Sequence, residues 1–181
     1  AFACAFAFAC ACPPEVRSCP TVETIQKDSI CHRVIAPADA PSTSLAAAAA
    51  IASRAVASFS GGGIFGVELF LLPDHSVLLN EIAPRPHNSG HYTMDACHTD
   101  QFEQHLRCVL GLPLGSTGMK SPSAAMLNIL GDGSLPSTLA PVQRALTTPA
   151  AAIHWYGKSP PKAARKMGHI NVTGPTAAAT L

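Results

Sequence analysis

The sequence predicts an α+β fold, because strand-like segments that pair locally are interspersed with helices. Residues 21–36 and the apolar part of residues 61–91 each indicate a β-hairpin, in which β-rich arms flank a polar turn. Residues 45–59 are rich in alanine and carry one charge, Arg54, which favours a helix packed closely on the sheet. Neighbouring hairpins with a packed helix are typical of the α+β class.

The length and the composition limit the classes of protein to which this chain can belong. The 181 residues suit one domain or a piece of a larger enzyme. A formal net charge of +1 with 13% charged residues gives no global attraction to nucleic acid or to an anionic membrane. No apolar run approaches the roughly 18 residues of a transmembrane helix. The seven cysteines contain no CxxC pair, so we expect reduced thiols in an intracellular protein, located in the cytoplasm or, if the source is a plant or alga, in a plastid.

The first 19 residues are predicted to be a low-complexity, irregular segment. They open with AFACAFAFACAC, whose alternation is also compatible with a strand, and they lack the basic start and cleavage pattern of a secretory signal. The chain begins with Ala1 rather than Met, and we expect it to be a fragment. In the next segment the first hairpin turns at residues 26–29, and Ser44 is the expected N-cap of the alanine-rich helix.

The second half of the sequence predicts one longer helix and three strands. The helix is expected to begin at a cap formed by Asp95 or Thr99 and to end at Gly111. Its predicted apolar side consists of Phe102, Leu106, Val109 and Leu110. The predicted strands are residues 124–130, 151–156 and 167–172, with a short helix around Arg144.

Two glutamates interrupt the apolar arms of the second hairpin. If the turn occupies residues 73–76, Leu72 faces Val77, and counting outward places Glu68 directly opposite Glu81. Like charges directly across a ladder are destabilising, and buried carboxylates without a partner cost more. A positive group is therefore expected between them, and Mg²⁺ fits best because it prefers hard oxygen ligands. Two solvated carboxylates on a polar sheet face are the alternative.

Five segments of the sequence resemble one enzyme family. They are VETIQKDSICHRVIAPA, FGVELFLL, LLNEIAPRPHNSGHYTMDAC, QFEQHLRCVLGLPL and RKMGHINV, among which NEIAPRPHNSGH is long and unusual. The family is N5-carboxyaminoimidazole ribonucleotide synthetase, the ATP-grasp ATPase part of phosphoribosylaminoimidazole carboxylase in de novo purine biosynthesis. The resemblance covers residues 20–173.

The resemblance implies a fold and a reaction. The fold is the C-terminal half of an ATP-grasp fold over residues 20–115, a small β-rich domain over residues 116–173 and a disordered tail over residues 174–181. In the implied reaction ATP phosphorylates bicarbonate to carboxyphosphate, and 5-aminoimidazole ribonucleotide accepts the carboxyl group. The products are N5-carboxyaminoimidazole ribonucleotide, ADP and phosphate. ATP and Mg²⁺ are the implied cofactors, and no biotin is needed.

The resemblance also implies roles for individual residues. Glu68 and Glu81 match the family's magnesium ligands, with Asn80 beside them in the ATP site. The proline-stiffened loop that follows would lie beside bicarbonate and the imidazole, where fixed donors stabilise an anion. Its expected contributions are the catalytic residues Arg85, His87 and Asn88 and the substrate-binding residues Ser89 and Gly90.

A basic cluster near the C-terminus matches the family's ribose 5-phosphate contacts. Lys158, Arg165 and Lys166 correspond to family positions, whereas an intervening arginine is missing and Lys162 stands near its place. Taken without the resemblance, such a cluster is as often a solvated surface.

The family's nucleotide-binding N-terminal half and its frequently fused mutase domain have no counterpart in these residues. We therefore expect the chain to be inactive alone, to require that missing half, and to form a homodimer in the intact enzyme. Two alternatives stay open. One is a metal-dependent hydrolase that uses Glu68, Glu81, His87 and His91, and the other is a non-catalytic remnant or interaction module.

Overall fold

One antiparallel sheet organises the described residues. The computed structural model describes residues 3–12 and 15–176, with side chains from residue 15 onward. The strands are β1 (Ala3–Cys12), β2 (Glu15–Ser18), β3 (Val22–Lys27), β4 (Ile30–Ala36), β5 (Gly63–Leu71), β6 (Val77–Ala83), β7 (Ser123–Leu130), β8 (Ala151–Trp155) and β9 (Lys166–Gly174).

The order of the strands in the sheet is β6-β5-β1-β3-β4-β7-β9-β8, with β2 paired to β1. The helices of the described part are α1 (Ser42–Ala57), α2 (Thr93–Ala96), α3 (Gln101–Val109), α4 (Leu135–Thr138) and α5 (Ala140–Ala145). Helices combined with antiparallel strands confirm the predicted α+β class. Because β4 pairs with β7, the sheet crosses the domain boundary predicted near residue 116 without a break. None of the described helices has the length and apolar character needed to cross a membrane.

Where it is described, the segment predicted to be irregular over residues 1–19 is mostly strand. β1 lies between β3 and β5, and β2 pairs with the end of β1. The alternation of alanine with phenylalanine or cysteine has a period of two, which is the strand signal, and the repetitive composition does not weaken it. β1 therefore joins the two predicted hairpins into one sheet.

The first hairpin and the alanine-rich helix both form, but Ser44 is not the N-cap of the helix. The hairpin turn consists of Asp28 and Ser29, which both have positive φ, as in two-residue turns that match the strand twist. Helix α1 begins after Pro41 without a side-chain cap. The Ser44 hydroxyl donates instead to the His75 carbonyl (2.8 Å), which offers an acceptor in the second hairpin. The small side chains of α1 pack on β5 in a cluster of Ala48, Ala52, Val56, Phe65, Val67 and Leu69.

Helix α3 forms near its predicted position, with a different N-cap. The Asp100 carboxylate accepts hydrogen bonds from the N–H groups of Phe102 (2.7 Å) and Glu103 (3.0 Å). Asp100 satisfies the first free donors of the helix, so neither Asp95 nor Thr99 is the cap.

The buried face of α3 is also the opposite of the predicted one. The helix buries Gln101, Gln104 and Cys108. The Gln104 amide donates to the Gly115 carbonyl (2.8 Å) and accepts from its N–H (3.0 Å), so its burial leaves no polar group unsatisfied. These tertiary hydrogen bonds override the apolar periodicity. The predicted apolar residues are 40–68% exposed, namely Phe102, Leu106, Val109 and Leu110.

The predicted C-terminal strands are confirmed as β7, β8 and β9, and Arg144 lies in α5. A buried cluster of Ile129, Ala145, Met167 and Ile170 joins these elements. Residues 177–181 of the tail predicted to be disordered lie outside the described residues.

Gly131 fixes the connection between β8 and β9 against the end of β7. Its N–H donates to the Arg165 carbonyl (2.8 Å), and its carbonyl accepts from the Ala164 N–H (2.9 Å). A Cβ atom at this position would collide with the Lys162 carbonyl oxygen and would lie 2.8 Å from the Pro161 carbonyl carbon. The basic segment before β9 therefore depends on a residue without a side chain.

We predict that Gly131→Ala lowers the free energy of unfolding by about 1–3 kcal/mol, the usual cost of overpacking. Both clashing atoms belong to the backbone and cannot move aside cheaply. Gly61→Ala is the matched control, because no atom lies within 4 Å of its Cβ position, and it should change stability by less than about 0.5 kcal/mol. Urea unfolding followed by circular dichroism measures both variants. Equal stability of the two would contradict the described packing.

Candidate functional site

Glu68 and Glu81 face each other across β5 and β6, which confirms the predicted pair. The register near the turn was predicted wrongly, because Leu71 and not Leu72 lies opposite Val77. The turn is one residue longer than predicted, and a β-bulge between the turn and Glu81 restores the alignment of the glutamates.

The bulge occurs at Asn80. Glu68 pairs with Glu81 and Leu69 pairs with Leu79, so Asn80 is the extra residue on β6. In a regular strand Asn80 and Glu81 would point to opposite faces. The bulge instead brings Asn80 to the face of the glutamates, where its Nδ2 donates to Glu68 Oε2 (3.3 Å). Two carboxylates and one amide therefore lie together at the edge of the sheet.

The environment of Glu68 disfavours the ionisation of its carboxyl group. Burial raises the pKa of Glu68, and the negative charge of Glu81 raises it further. No group of three or more His, Cys, Asp or Glu side chains within the described residues could hold a metal ion. A pair of hard oxygen ligands suits Mg²⁺, which completes its coordination with substrate phosphates and water. A structural zinc site needs four protein ligands and fits less well.

The loop after β6 places His87 against Glu68. The His87 Nε2 lies 3.8 Å from Glu68 Oε1. Burial lowers the pKa of His87 to about 4, and the positive charges of Arg85 and Lys166 contribute in the same direction. His87 is therefore neutral at pH 7, so its contact with Glu68 is not an ion pair. The exposed Arg85 donates through Nη1 to the Pro86 carbonyl (3.1 Å).

The other residues of this loop that were predicted to contact substrate form hydrogen bonds within the protein. The Ser89 N–H donates to His87 Nδ1 (3.4 Å), and the Gly90 N–H donates to the His87 carbonyl (2.9 Å). The Asn88 and Asn128 side chains form two reciprocal amide hydrogen bonds of 2.9 and 2.6 Å. These hydrogen bonds define the shape of the loop.

Gln101 and Asn128 hold this loop in place, and sequence reasoning missed both. The buried Gln101 accepts from the His87 N–H (2.9 Å) and donates to the His87 carbonyl (3.0 Å) and to His91 Nδ1 (2.9 Å). Asn128 also donates to the Cys31 carbonyl (2.8 Å). A polar residue in the apolar run of β7 was the available signal for Asn128, whereas Gln101 has the sequence context of an ordinary helical residue.

The predicted phosphate-binding cations lie in different surroundings. Lys166 is half-buried; burial lowers its pKa, and the negative charge of Glu68 acts in the opposite direction. Lys166 therefore belongs to the same electrostatic environment as the glutamates. Lys158 Nζ donates to the Lys166 carbonyl (3.1 Å). Arg165 donates through Nη1 to two carbonyls of its own loop, at residues 159–160 (3.0 and 3.1 Å). Lys162 is exposed.

Four rings stack in a row next to the loop, and we call this row the ring stack. Consecutive ring centroids of Phe102, His91, His169 and His154 are 5.8, 4.6 and 4.4 Å apart. Burial lowers the pKa of His91 to about 4 and that of His169 to about 3. Because the His91 ring is held in this stack and by Gln101, the structure lends no support to a zinc pair of His87 and His91.

Two family models match the chain. Residues 8–102 match the ATP-grasp domain, and residues 124–181 match the phosphoribosylaminoimidazole carboxylase C-terminal domain. Phosphoribosylaminoimidazole carboxylase of Candida albicans is 55% identical over 163 residues, which make up 87% of this chain and 28% of that protein. N5-carboxyaminoimidazole ribonucleotide synthase of Synechococcus elongatus is 46% identical over 154 residues, 84% of this chain and 39% of that protein.

A solved structure shares the fold. The crystal structure of N5-carboxyaminoimidazole synthase from Aspergillus clavatus, in complex with ADP and 5-aminoimidazole ribonucleotide, superposes with a TM-score of 0.94 at 45% identity. The match covers 98% of this chain and 48% of the Aspergillus chain. The resemblance drawn from the sequence motifs is confirmed, and the chain spans less than half the length of each of these relatives.

We predict that the free energy of unfolding falls as the pH is lowered from about 6.5 to about 4. His91 and His169 take up protons near pH 6.5 in the unfolded chain, but only near pH 4 and 3 in the folded chain. The unfolded state therefore binds more protons in this interval, so acid favours it. Urea unfolding at a series of pH values measures the loss.

Two single substitutions distinguish the contribution of these histidines to the pH dependence from that of other titrating groups. His169→Phe should flatten the pH dependence, because one neutral buried imidazole is gone. His98→Phe, which replaces an exposed ring outside the stack, should leave the dependence unchanged. An identical slope in all three proteins would contradict the expected role of His169.

Proposed function

The chain belongs to the ATP-grasp family, and we propose that it forms the C-terminal part of an enzyme that uses ATP to attach bicarbonate to 5-aminoimidazole ribonucleotide. The products would be N5-carboxyaminoimidazole ribonucleotide, ADP and phosphate, formed through carboxyphosphate and without biotin. The observation that carries the proposal is the contact between the glutamate pair and the loop of Arg85 and His87. Phosphoryl transfer to an anion needs such a combination of oxygen ligands for a cation and fixed donors.

Glu68 and Glu81, with Asn80 beside them, would hold Mg²⁺. When bound, the ion neutralises charge on the phosphate oxygens of ATP during transfer. Two opposed carboxylates gain from a cation between them, because attraction to the cation offsets their mutual repulsion. Asn80 and Glu81 are exposed on the edge strand β6, where a nucleotide has access to them.

Arg85 and His87 would bind bicarbonate and its phosphorylated form. Arg85 is charged at every physiological pH, and its planar guanidinium matches two oxygens of such an anion. Because His87 Nδ1 accepts from the Ser89 N–H, the neutral ring carries its proton on Nε2, where it can donate a hydrogen bond to an oxygen of the anion. Asn88, Ser89 and Gly90 would act by keeping the His87 ring in place, through the hydrogen bonds described above.

Lys166 and Lys158 would bind the substrate's ribose 5-phosphate. The charge of Lys166 also interacts with that of Glu68, so this lysine would lie between the phosphate group and the centre of carboxylation. Arg165, which is bonded to the carbonyls of residues 159–160, would shape the segment that carries Lys158.

The remaining contacts of ATP would come from a part of the enzyme that lies outside this chain, and activity would require both parts. We further propose that the intact enzyme is a cytoplasmic homodimer, with a mutase domain in the same polypeptide. The family resemblance supports these assignments.

We predict that Glu81→Gln weakens the binding of Mn²⁺, a spectroscopic substitute for Mg²⁺, at least about tenfold, since changes even outside the ligand shell cost ten- to hundredfold. The amide removes one of the two charges that attract the cation. Electron paramagnetic resonance of free Mn²⁺ titrated with the 181-residue chain measures the affinity. Glu103→Gln is the control, because Glu103 lies on α3 and pairs with Arg107 (2.8 Å). Equal Mn²⁺ affinity in both variants would remove Glu81 from the cation site.

The same change should abolish turnover. In a chimera in which this chain replaces the matching part of the Aspergillus enzyme, Glu81→Gln should reduce bicarbonate-dependent ADP formation at least about hundredfold, because metal stabilisation contributes several kcal/mol. Turnover at the rate of the Glu103→Gln chimera would refute the metal role. A chimera that is folded but inactive without any substitution would refute the proposed function itself.

We predict that Lys166→Ala weakens the affinity of the chain for 5-aminoimidazole ribonucleotide by about ten- to hundredfold, the value of a charge-assisted hydrogen bond. Isothermal titration calorimetry measures it. Lys162→Ala, which removes an exposed cation of the same segment, should cost less than about threefold. If Lys162→Ala costs as much as Lys166→Ala, Lys162 occupies the place of the family's missing arginine.

A further inference from the structure

The ring stack lies between the two segments to which the proposed function assigns anion binding. His91 ends the loop that carries Arg85 and His87. Tyr156 begins the segment that leads to Lys158. His169 touches both, because its ring stacks on His91 at 4.6 Å and its Nδ1 is hydrogen-bonded to the Tyr156 hydroxyl (2.7 Å).

The two imidazoles that flank His169 in the ring stack, His91 and His154, have fixed orientations. At one side, Gln101 donates to His91 Nδ1 (2.9 Å). At the other side, the Asp95 carboxylate accepts from His154 Nε2 (2.8 Å) and from Asn171 Nδ2 (2.6 Å). Each of these rings is therefore held by a hydrogen bond to a neighbouring helix, and neither can turn without breaking it.

The His169 ring between them is held differently. His169 is only 1% exposed, and within the described residues its Nε2 has no hydrogen-bond partner. Its orientation thus depends on stacking between His91 and His154 and on the single hydrogen bond to Tyr156. Stacking on two imidazoles at 4.4 and 4.6 Å disfavours a charge on His169, because adjacent imidazolium charges would repel.

Tyr156 transmits this orientation to the basic segment. The Lys158 ammonium lies 5.1 Å from the centre of the Tyr156 ring, within the range of a cation–π interaction. Lys158 also donates to the Lys166 carbonyl (3.1 Å). A change in the tilt of Tyr156 would therefore move the cation that the proposed function assigns to the ribose phosphate.

We propose that His169 is a positioning residue that couples the loop of residues 87–91 to the basic segment of residues 156–166, through its stacking on His91 and its hydrogen bond to Tyr156. This inference rests on the proposed function, since it assumes that both segments bind one substrate. To bind the aminoimidazole ring and the phosphate of one substrate at the same time, the two segments need a fixed separation. Small displacements of such positioning groups lower the reaction rate strongly.

The test uses the 181-residue chain and three substitutions. Tyr156→Phe and His169→Phe remove the same hydrogen bond from its two ends while each keeps an aromatic ring. Each should weaken the affinity for 5-aminoimidazole ribonucleotide about fivefold, the equivalent of one neutral hydrogen bond. The double variant should lose no more than either single variant, because both act through one bond. His98→Phe is the control for replacing a histidine elsewhere.

A purely structural role gives a different result. The thermal midpoint would then fall in Tyr156→Phe and His169→Phe while the affinity of the folded chain stays that of the unmodified protein, and the proposal would be overturned. Losses that simply add in the double variant would overturn it as well.

A second measurement needs no ligand. The backbone amide resonances of residues 87–91 and of residues 156–166 should both shift in Tyr156→Phe, because the His169 ring above His91 is released. Shifts confined to residues 156–166 would exclude the coupling. If the unmodified chain does not bind the ribonucleotide, the proposed function fails, and the amide resonances still decide whether His169 couples the two segments.

Discussion

Two carboxylates that face each other across one pair of strands impose the constraint on which the rest of the site depends. Glu68 is half-buried and Glu81 is directly opposite, so burial and the charge of Glu81 both raise the pKa of Glu68. The nearby groups temper this repulsion without neutralising it. Asn80 donates one hydrogen bond, His87 is uncharged at pH 7, and Lys166 acts as a more distant charge. The cation that we propose between the two glutamates would relieve this residual repulsion.

The loop beside the glutamates is held by neutral amides rather than by ion pairs. Gln101 fixes His87 at its N–H and its carbonyl, and Asn128 fixes Asn88 through a reciprocal pair of hydrogen bonds. Such buried and satisfied amides stabilise one loop conformation at any pH in the neutral range. The exposed Arg85 makes its hydrogen bond to the adjacent Pro86 carbonyl, and its guanidinium is accessible to an anionic ligand.

The sequence correctly predicted that Glu68 and Glu81 face each other, but only because two errors in the predicted register cancelled. The longer turn shifts the register by one residue, and the bulge at Asn80 shifts it back. A count from the turn contains no information about a bulge, because a bulge depends on pairing across the sheet. The buried face of α3 could not be predicted from the sequence for a similar reason. Gln101 and Gln104 are buried because they form hydrogen bonds with backbone groups that are distant in the sequence. By contrast, the period of two in residues 3–12 was an available signal for β1, although the segment was predicted to be irregular.

The strands β5, which carries Glu68, and β9, which carries Lys166, lie far apart in the order of the sheet. Five strand-to-strand steps separate them in the sheet, which on a flat sheet would amount to roughly 24 Å. That separation exceeds the screening length of about 8–10 Å in salt solution, yet the charges of Lys166 and Glu68 influence each other. Twist and coiling bring strands that are distant in the order of a sheet closer together than a flat sheet would. The ring stack joins the same parts of the molecule, because His91 follows the loop after β6 and stacks on His169 of β9. Close-packed rings resist compression, so this contact limits how far the loop and β9 can move relative to each other.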